Sequence, residues 1–384
     1  MRTDRTRAAG GPLRSPGPTR TLVAILAVAA ALTTAGPVTH AASGGRGNDD
    51  PLTRLGPKRK LRPGDVRVSA SQVERRVKAT VAWYQQAFVA AYDQSARKNS
   101  RWDDAARSAL ATAARAWALD PTRSSDADDQ AGQVLRRAMA LGCDDPLVTF
   151  VAAQFSRGEV SAVEAARRTI AAAARLERTR YSPYLRGSAF LTAAAALARV
   201  SHEISRAEAR LVMADGRALV DQAVAQLPAV AADRTLPSHL LVRYVAEIWR
   251  LDAGYPPRER DSIFDLTYPL VSAAHGIEAS VLPLLRAVFY AETAWELRGR
   301  GPARDVKPEA WPLFFERLER AEAEAARAVA LKSDDPHVVA VMSRVAAGLY
   351  QDRDEIDAWL QVARRLEPGD RRQLALRANA LQLQ

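Results

Sequence analysis

The sequence predicts an all-α fold, an array of antiparallel helical hairpins. Three observations lead there. The 384 residues take their apolar content mostly from Ala and Leu, only 6% are aromatic, and no Val/Ile/Thr alternation occurs. That composition favours helices over strands. Apolar residues recur at spacings of three and four through most of the chain. The connections between these stripes are short and carry Pro, Gly or Asp-Pro, which makes consecutive helices antiparallel neighbours.

The chain opens differently. A basic stretch precedes the 14-residue apolar run Leu22–Ala35, and "GPVTHAAS" follows with small residues at Thr39 and Ala41. This three-part layout predicts a signal peptide over residues 1–41, cleaved after Ala41, and hence an exported protein. The run is shorter than the roughly 20 residues that span a bilayer. Residues 42–70, rich in Gly, Pro and charge, read as a flexible basic linker. Within it Lys58, Arg59, Lys60 and Arg62 form a cluster that could touch an anionic envelope surface.

Charge excludes one class of partner. The net +11 is concentrated at the N-terminus, +4 in residues 1–41 and +4 in 42–68, leaving 43 basic against 40 acidic residues in the body. A balanced body offers no broad phosphate-binding surface, so nucleic acid is not expected. A single cysteine, Cys143, cannot form an internal disulfide and reads as a small residue at a turn.

From Ser71 the helix signals are frequent. Three capping boxes are expected at Ser71–Glu74, Ser161–Glu164 and Ser205–Glu208. Val77, Val81, Tyr84, Phe88 and Ala91 make the first stripe; Trp102, Ala106, Leu110, Ala113 and Trp117 make the second. Further helices are expected at about 128–142, 146–157, 162–179, 183–200, 206–226, 237–252, 259–274, 281–298, 308–331, 336–350, 354–366 and 370–382.

"ALKSDDPHV" (Ala330–Val338) repeats the frame of "ALGCDDPLV" (Ala140–Val148). Shorter relatives are "AWALDP" (Ala116–Pro121) and "ARRLEP" (Ala363–Pro368). In this frame Ala and Leu close one helix, the acidic residue caps the next, and Pro opens it. Asp335 is thus expected as a cap, with His337 in the first turn behind Pro336. Helix, acidic-Pro turn, helix is the punctuation of tetratricopeptide repeats, and Pro336 and Pro368 stand 32 residues apart, near that family's period of about 34. The array is therefore expected to be a tetratricopeptide-like α-solenoid, with residues 71–280 as helical-hairpin repeats and 281–384 as its tetratricopeptide-like C-terminal part.

In the last hundred residues Trp295, Arg298-Gly299-x-Gly301, Val306, Trp311, Phe315, Arg317-Leu318, Asp335-Pro336, Met342 and Pro368 follow in an order that resembles the bacterial family called domain of unknown function 4034. Two departures stand out: His337 and Val338 replace aromatics after Asp-Pro, and the chain ends in "ANALQLQ" where the family tends to a Pro-Trp segment. The resemblance implies a helical domain and brings no activity.

Candidate chemistry is sparse. The loop Arg298–Pro308 combines Arg298, Arg300 and Arg304 with two glycines and neighbouring Trp295 and Trp311, and reads either as a site for an acidic peptide or as a long connection capped by Gly299. Glu292 lies among apolar neighbours on its helix and is the one candidate general acid, although pairing with an Arg explains it as well. After signal removal the histidines are His202, His239, His275 and His337, with no metal-ligand spacing and no His-Glu-x-x-His. No metal or cofactor is expected. The reading that follows is a non-enzymatic exported protein that binds a protein or peptide in a groove between hairpins. The alternatives are an exported all-α hydrolase of a cell-wall polymer and a pure scaffold module.

Overall fold

The computed structural model describes residues 60–367, apart from 96–98, 123–125, 156–159, 255–260, 300, 302, 332 and 351–352. The expected signal peptide, Lys58, Arg59, Arg300 and the expected helix 370–382 lie outside the described residues.

The described residues form helices and no strand. The first helix, α1 (Ala70–Gln85), runs through a π-helical turn Gln86–Ala90 into α2 (Ala91–Ser95). There follow α3 (Asp103–Trp117), α4 (Ala127–Ala140), α5 (Pro146–Phe155), α6 (Ala162–Glu177) and α7 (Pro183–Val200). Then come α8 (Arg206–Ala232), α9 (Ser238–Gly254), α10 (Asp261–Ser272) and α11 (Val281–Arg298). The last are α12 (Ala310–Ala330), α13 (His337–Val345), which continues into a π-helical turn Ala346–Tyr350, and α14 (Arg353–Leu366). Among the described residues no helix is long and apolar enough to cross a membrane.

Local chemistry explains where these helices start. The first capping box is Ser69 with Gln72, not Ser71 with Glu74. Ser69 Oγ accepts from Gln72 N at 3.2 Å, and Gln72 Oε1 accepts from Ser69 N at 2.8 Å. Ser71 is then a helical residue, and Glu74 pairs with Lys78 one turn on. At Ser161 half the expected box forms: Ser161 Oγ caps Glu164 N, but the Glu164 carboxylate turns forward to Arg167 and Arg168. Two guanidinium partners outcompete one backbone amide. Ser205 and Glu208 make the complete box. The helix expected at 206–226 continues through Pro228 to Ala232, because Leu227, Val230 and Ala231 are buried and hold the last turn in place.

Two of the four acidic-Pro turns are caps; after Asp120-Pro121 the next helix, α4, starts only at Ala127, and Pro368 lies outside the described residues. Asp145 Oδ1 accepts from Leu147 N and Val148 N at 2.9 and 3.2 Å, and its Oδ2 accepts from the Tyr181 hydroxyl at 2.8 Å. Asp335 Oδ1 accepts from His337 N at 2.9 Å. Cys143 is buried beside the first of these turns.

The helices stack as an array of antiparallel hairpins. From α3 onward each packs on the next, and alternate helices also touch: α3 with α5, α7 with α9, α9 with α11, α11 with α13. These odd-numbered helices form one row. Helix α1 lies against it and meets its members in reverse chain order. Phe88 packs edge-on to Trp117 of α3 (5.1 Å), and Trp83 to Tyr184 of α7 (5.1 Å). Further back along α1, Thr80 reaches His239 of α9, and Arg76 donates to the carbonyls of Asp334, before α13, and Leu366, at the end of α14. Trp117–Phe150 and Tyr184–Tyr244 contacts extend this aromatic seam into α5 and α9.

Two expectations change as a result. The linker does not extend to residue 70: Leu61 and Val66 are buried, Leu61 N donates to Glu322 of α12 at 3.0 Å, and Lys60 pairs with Glu355 of α14 at 2.5 Å. Two apolar side chains were enough to fold the end of a Gly/Pro-rich segment onto the body. The face of the odd row is also not an empty groove, since the aromatic side chains of α1 cover it over α3 and α7.

Candidate functional site

The residues singled out around the loop after α11 come together only in part: Arg298 lies over Trp295, and Trp295 and Trp311 both pack edge-on to Phe314, as a packed cluster. Gly299, at φ +74°, closes the helix, and Arg298 folds back over that turn, donating to the Gly299 and Gly301 carbonyls at 3.3 and 3.1 Å. Its guanidinium lies 5.5 Å from the centre of the Trp295 ring, and the residue is 8% exposed. Arg298 thus satisfies helix-end carbonyls. Arg304 is exposed beside Asp305. Trp295 packs edge-on to Phe314 and donates to Arg344 O at 3.3 Å; Trp311 stacks on Phe315 at 5.7 Å.

Glu292 forms an ion pair with Arg344 of α13. It lines a cavity of about 20 Å³ together with Asp252, Glu296, Trp249 and Phe289. This is the place where carboxylates from different helices come together. Asp252, however, is matched by Arg217 at 3.3 Å, and the space holds no more than a water molecule. A sugar ring does not fit.

The structure instead opens a cavity of about 640 Å³ at the N-terminal half of α1. Gln72, Arg75, Arg76 and Ala79 of α1 form one wall. The α8–α9 connection supplies Asp233, Arg234 and Leu236, and α9 supplies Ser238, His239 and Leu241. The α10–α11 connection adds His275, Ile277, Glu278 and Ser280, α11 adds Val281 and Leu284, and the α12–α13 connection adds Ser333, Asp334 and Asp335. Leu236, Leu241, Val281 and Leu284 are buried and make an apolar floor under a polar rim.

Beside this cavity lies a half-buried polar cluster. Thr80 donates its hydroxyl proton to Arg76 O at 2.7 Å, so it accepts from His239 Nε2 at 3.0 Å. His239 therefore carries its proton on Nε2. Burial pushes this imidazole down to about 4, the charges of Arg76, His337 and Arg243 push the same way, and Asp335 opposes them. The second histidine is His337, whose Nδ1 sits 2.8 Å from Asp335 Oδ1. Burial works against its charge, but the Asp335 carboxylate outweighs that and raises it above the ordinary value. Asp335 itself is held below the usual carboxylate range: burial opposes this, and the His337 charge and hydrogen bond prevail. One histidine is thus biased toward its neutral form and the other toward its charged form within a single cluster.

Sequence reasoning missed Arg75, Arg76, Arg234, His239, His275 and Ser280, because they come together from positions as far apart as 75 and 280. One local signal was there: "LPSH" and "DDPH" each place a histidine just behind a helix-opening proline. Among the described residues no group of His, Cys, Asp and Glu is arranged to hold a metal ion.

The fold and the cavity define a class, an all-α hairpin array with a polar-rimmed pocket against its first helix. No family model, curated protein or solved structure matches the chain.

Proposed function

We propose that this chain is an exported, non-catalytic binding protein, and that the cavity beside α1 receives a segment of a peptide or protein partner. The observation that carries this reading is the cavity itself: about 640 Å³, with an apolar floor, a polar rim and walls from connections far apart in sequence. Its volume falls in the range of ligand sites, and its lining is more polar than theirs usually is, which suits a charged or hydrogen-bonding occupant. Export rests on the signal-like residues 1–41 with cleavage after Ala41, and kinship with the domain of unknown function 4034 rests on the residue pattern from Trp295 to Pro368. The basic residues Lys58 and Arg59 remain candidates for contact with an anionic envelope surface, whereas Lys60 is engaged by Glu355. The hydrolase alternative has less behind it, since the clustered carboxylates border a space of only about 20 Å³ and two of them, Asp252 and Glu292, are paired with Arg217 and Arg344.

The test uses the mature chain, immobilised, and a pool of N-acetylated hexapeptides randomised at the last three positions. Specific retention is expected. It should be lost on Ala79→Trp, which fills the cavity from an exposed position of α1, and kept on Arg304→Ala. Retention that ignores Ala79→Trp would remove the cavity from the binding function.

A further inference from the structure

The α8–α9, α10–α11 and α12–α13 connections all border the large cavity, so the N-terminal ends of three helices, α9, α11 and α13, face one space. Each such end carries partial positive charge and spare amide donors. Asp335 already caps α13. Helix α11 differs: its N-cap residue Ser280 makes no side-chain cap. Ser280 is 7% exposed, it lines the cavity, and its hydroxyl has no hydrogen-bond partner among the described residues. The hydroxyl oxygen is not sealed from solvent, so it is open to the cavity and to an occupant of it.

The wall carries three arginines and four carboxylates, and what each is already bonded to decides which face an occupant. Arg76 is held by the Asp334 and Leu366 carbonyls. Arg75 of α1 and Arg234 of the α8–α9 connection both line the cavity and are exposed. Of the carboxylates on the wall, Asp335 is committed to His337, and Asp233 accepts from Thr235 N and Oγ1 at 2.9 and 2.7 Å. Glu278 and Asp334 remain on the wall, and their negative charge works against a second negative charge on a ligand.

We infer that the cavity binds a single carboxylate of a peptide, with Ser280 and the α11 N-terminus as donors, Arg75 and Arg234 as the charged clamp, and the neighbouring apolar residue of the ligand on the Leu236–Leu241–Leu284 floor. This rests on the binding function proposed above and gives its ligand chemistry. A carboxylate is matched by guanidinium donors in a way that an amide is not.

The same hexapeptide pool, free of Asp and Glu, tests this as C-terminal acids and as C-terminal amides. A third pool carries Asp or Glu but ends in an amide. Retention of the acids at least tenfold above the plain amides is expected, falling with added salt. Arg75→Ala/Arg234→Ala, two exposed changes, should bring the acids down to the level of the amides, and Ser280→Ala should weaken them about threefold. Retention of the third pool instead would assign the carboxylate to a side chain and still support the inference. Equal retention of acids and plain amides would overturn it while leaving peptide binding intact. No retention of any pool would overturn both.

Discussion

At the residue scale, the informative groups are the two histidines beside the cavity. Protonating His239 places a charge among Arg76, Arg243 and His337, with Asp335 as the one opposing group. Its value in the folded chain, about 4, lies below its ordinary 6.5, so it contributes stability above pH 6.5 that is lost as pH falls toward 4. A shift of that size corresponds to about 3 kcal/mol. His337 works in the opposite sense: its raised value gives stability that is complete below 6.5 and fades as pH rises through the folded value. Its contribution grows as pH falls from 7, so it offsets a part of the His239 loss, and the comparison of wild type with a His239 variant isolates the latter. Asp145, which burial holds above its ordinary value against the Tyr181 hydrogen bond, offsets a part of that loss near pH 4. Urea unfolding at pH 7 and pH 4.5 should show most of the decrease in wild type and much less in His239→Gln, which keeps a donor toward Thr80. An equal decrease in both would show that His239 titrates normally. The sequence offered the caps at this scale, because a cap is decided by neighbours two or three residues away. It did not offer the His239–Thr80 contact, which spans 159 positions.

At the scale of elements, α1 is the one whose role changed. Its stripe, Tyr84 and Phe88 included, was legible as a helix, but a stripe does not say what it faces. The π-helical turn Gln86–Ala90 adds a residue to the turn and helps to set Phe88 on Trp117 while Tyr84 stays hydrogen-bonded to Tyr184 at 3.1 Å. Phe88→Ala should cost about 3–5 kcal/mol in denaturant unfolding, as for any fully buried phenylalanine. A cost below about 1 kcal/mol would mean that α1 is not part of the core. The α7–α9 contact gives a complementary case. A Cβ on Gly187 would collide with the Tyr244 hydroxyl oxygen. That hydroxyl donates to Ala223 O at 2.8 Å and cannot retreat without breaking a buried hydrogen bond. Gly187→Ala should therefore destabilise by about 1–3 kcal/mol instead of gaining helix propensity.

At the scale of the whole molecule, the N-terminal and C-terminal helices are joined. Residues 60–66 reach α12 and α14, and Arg76 ties α1 to the end of α14. A chain beginning at residue 60 should unfold like the full chain, whereas one beginning at residue 70 loses the buried Leu61 and Val66 and should be weaker by about 3 kcal/mol. Equal unfolding midpoints would show that the segment adds nothing to the fold. The sequence by itself determined the class of the molecule and nearly every helix. Periodicity, Ser and Asp caps, and helix-opening prolines act over a few residues, and their physics is complete within the segment. Only the tertiary structure decided that α1 covers the odd row, that Lys60 meets Glu355, and that Arg75, Arg234 and Ser280 share one cavity. Those contacts depend on how all the intervening helices stack, the Lys60–Glu355 pair closing a separation of 295 residues, and no local pattern carries that information.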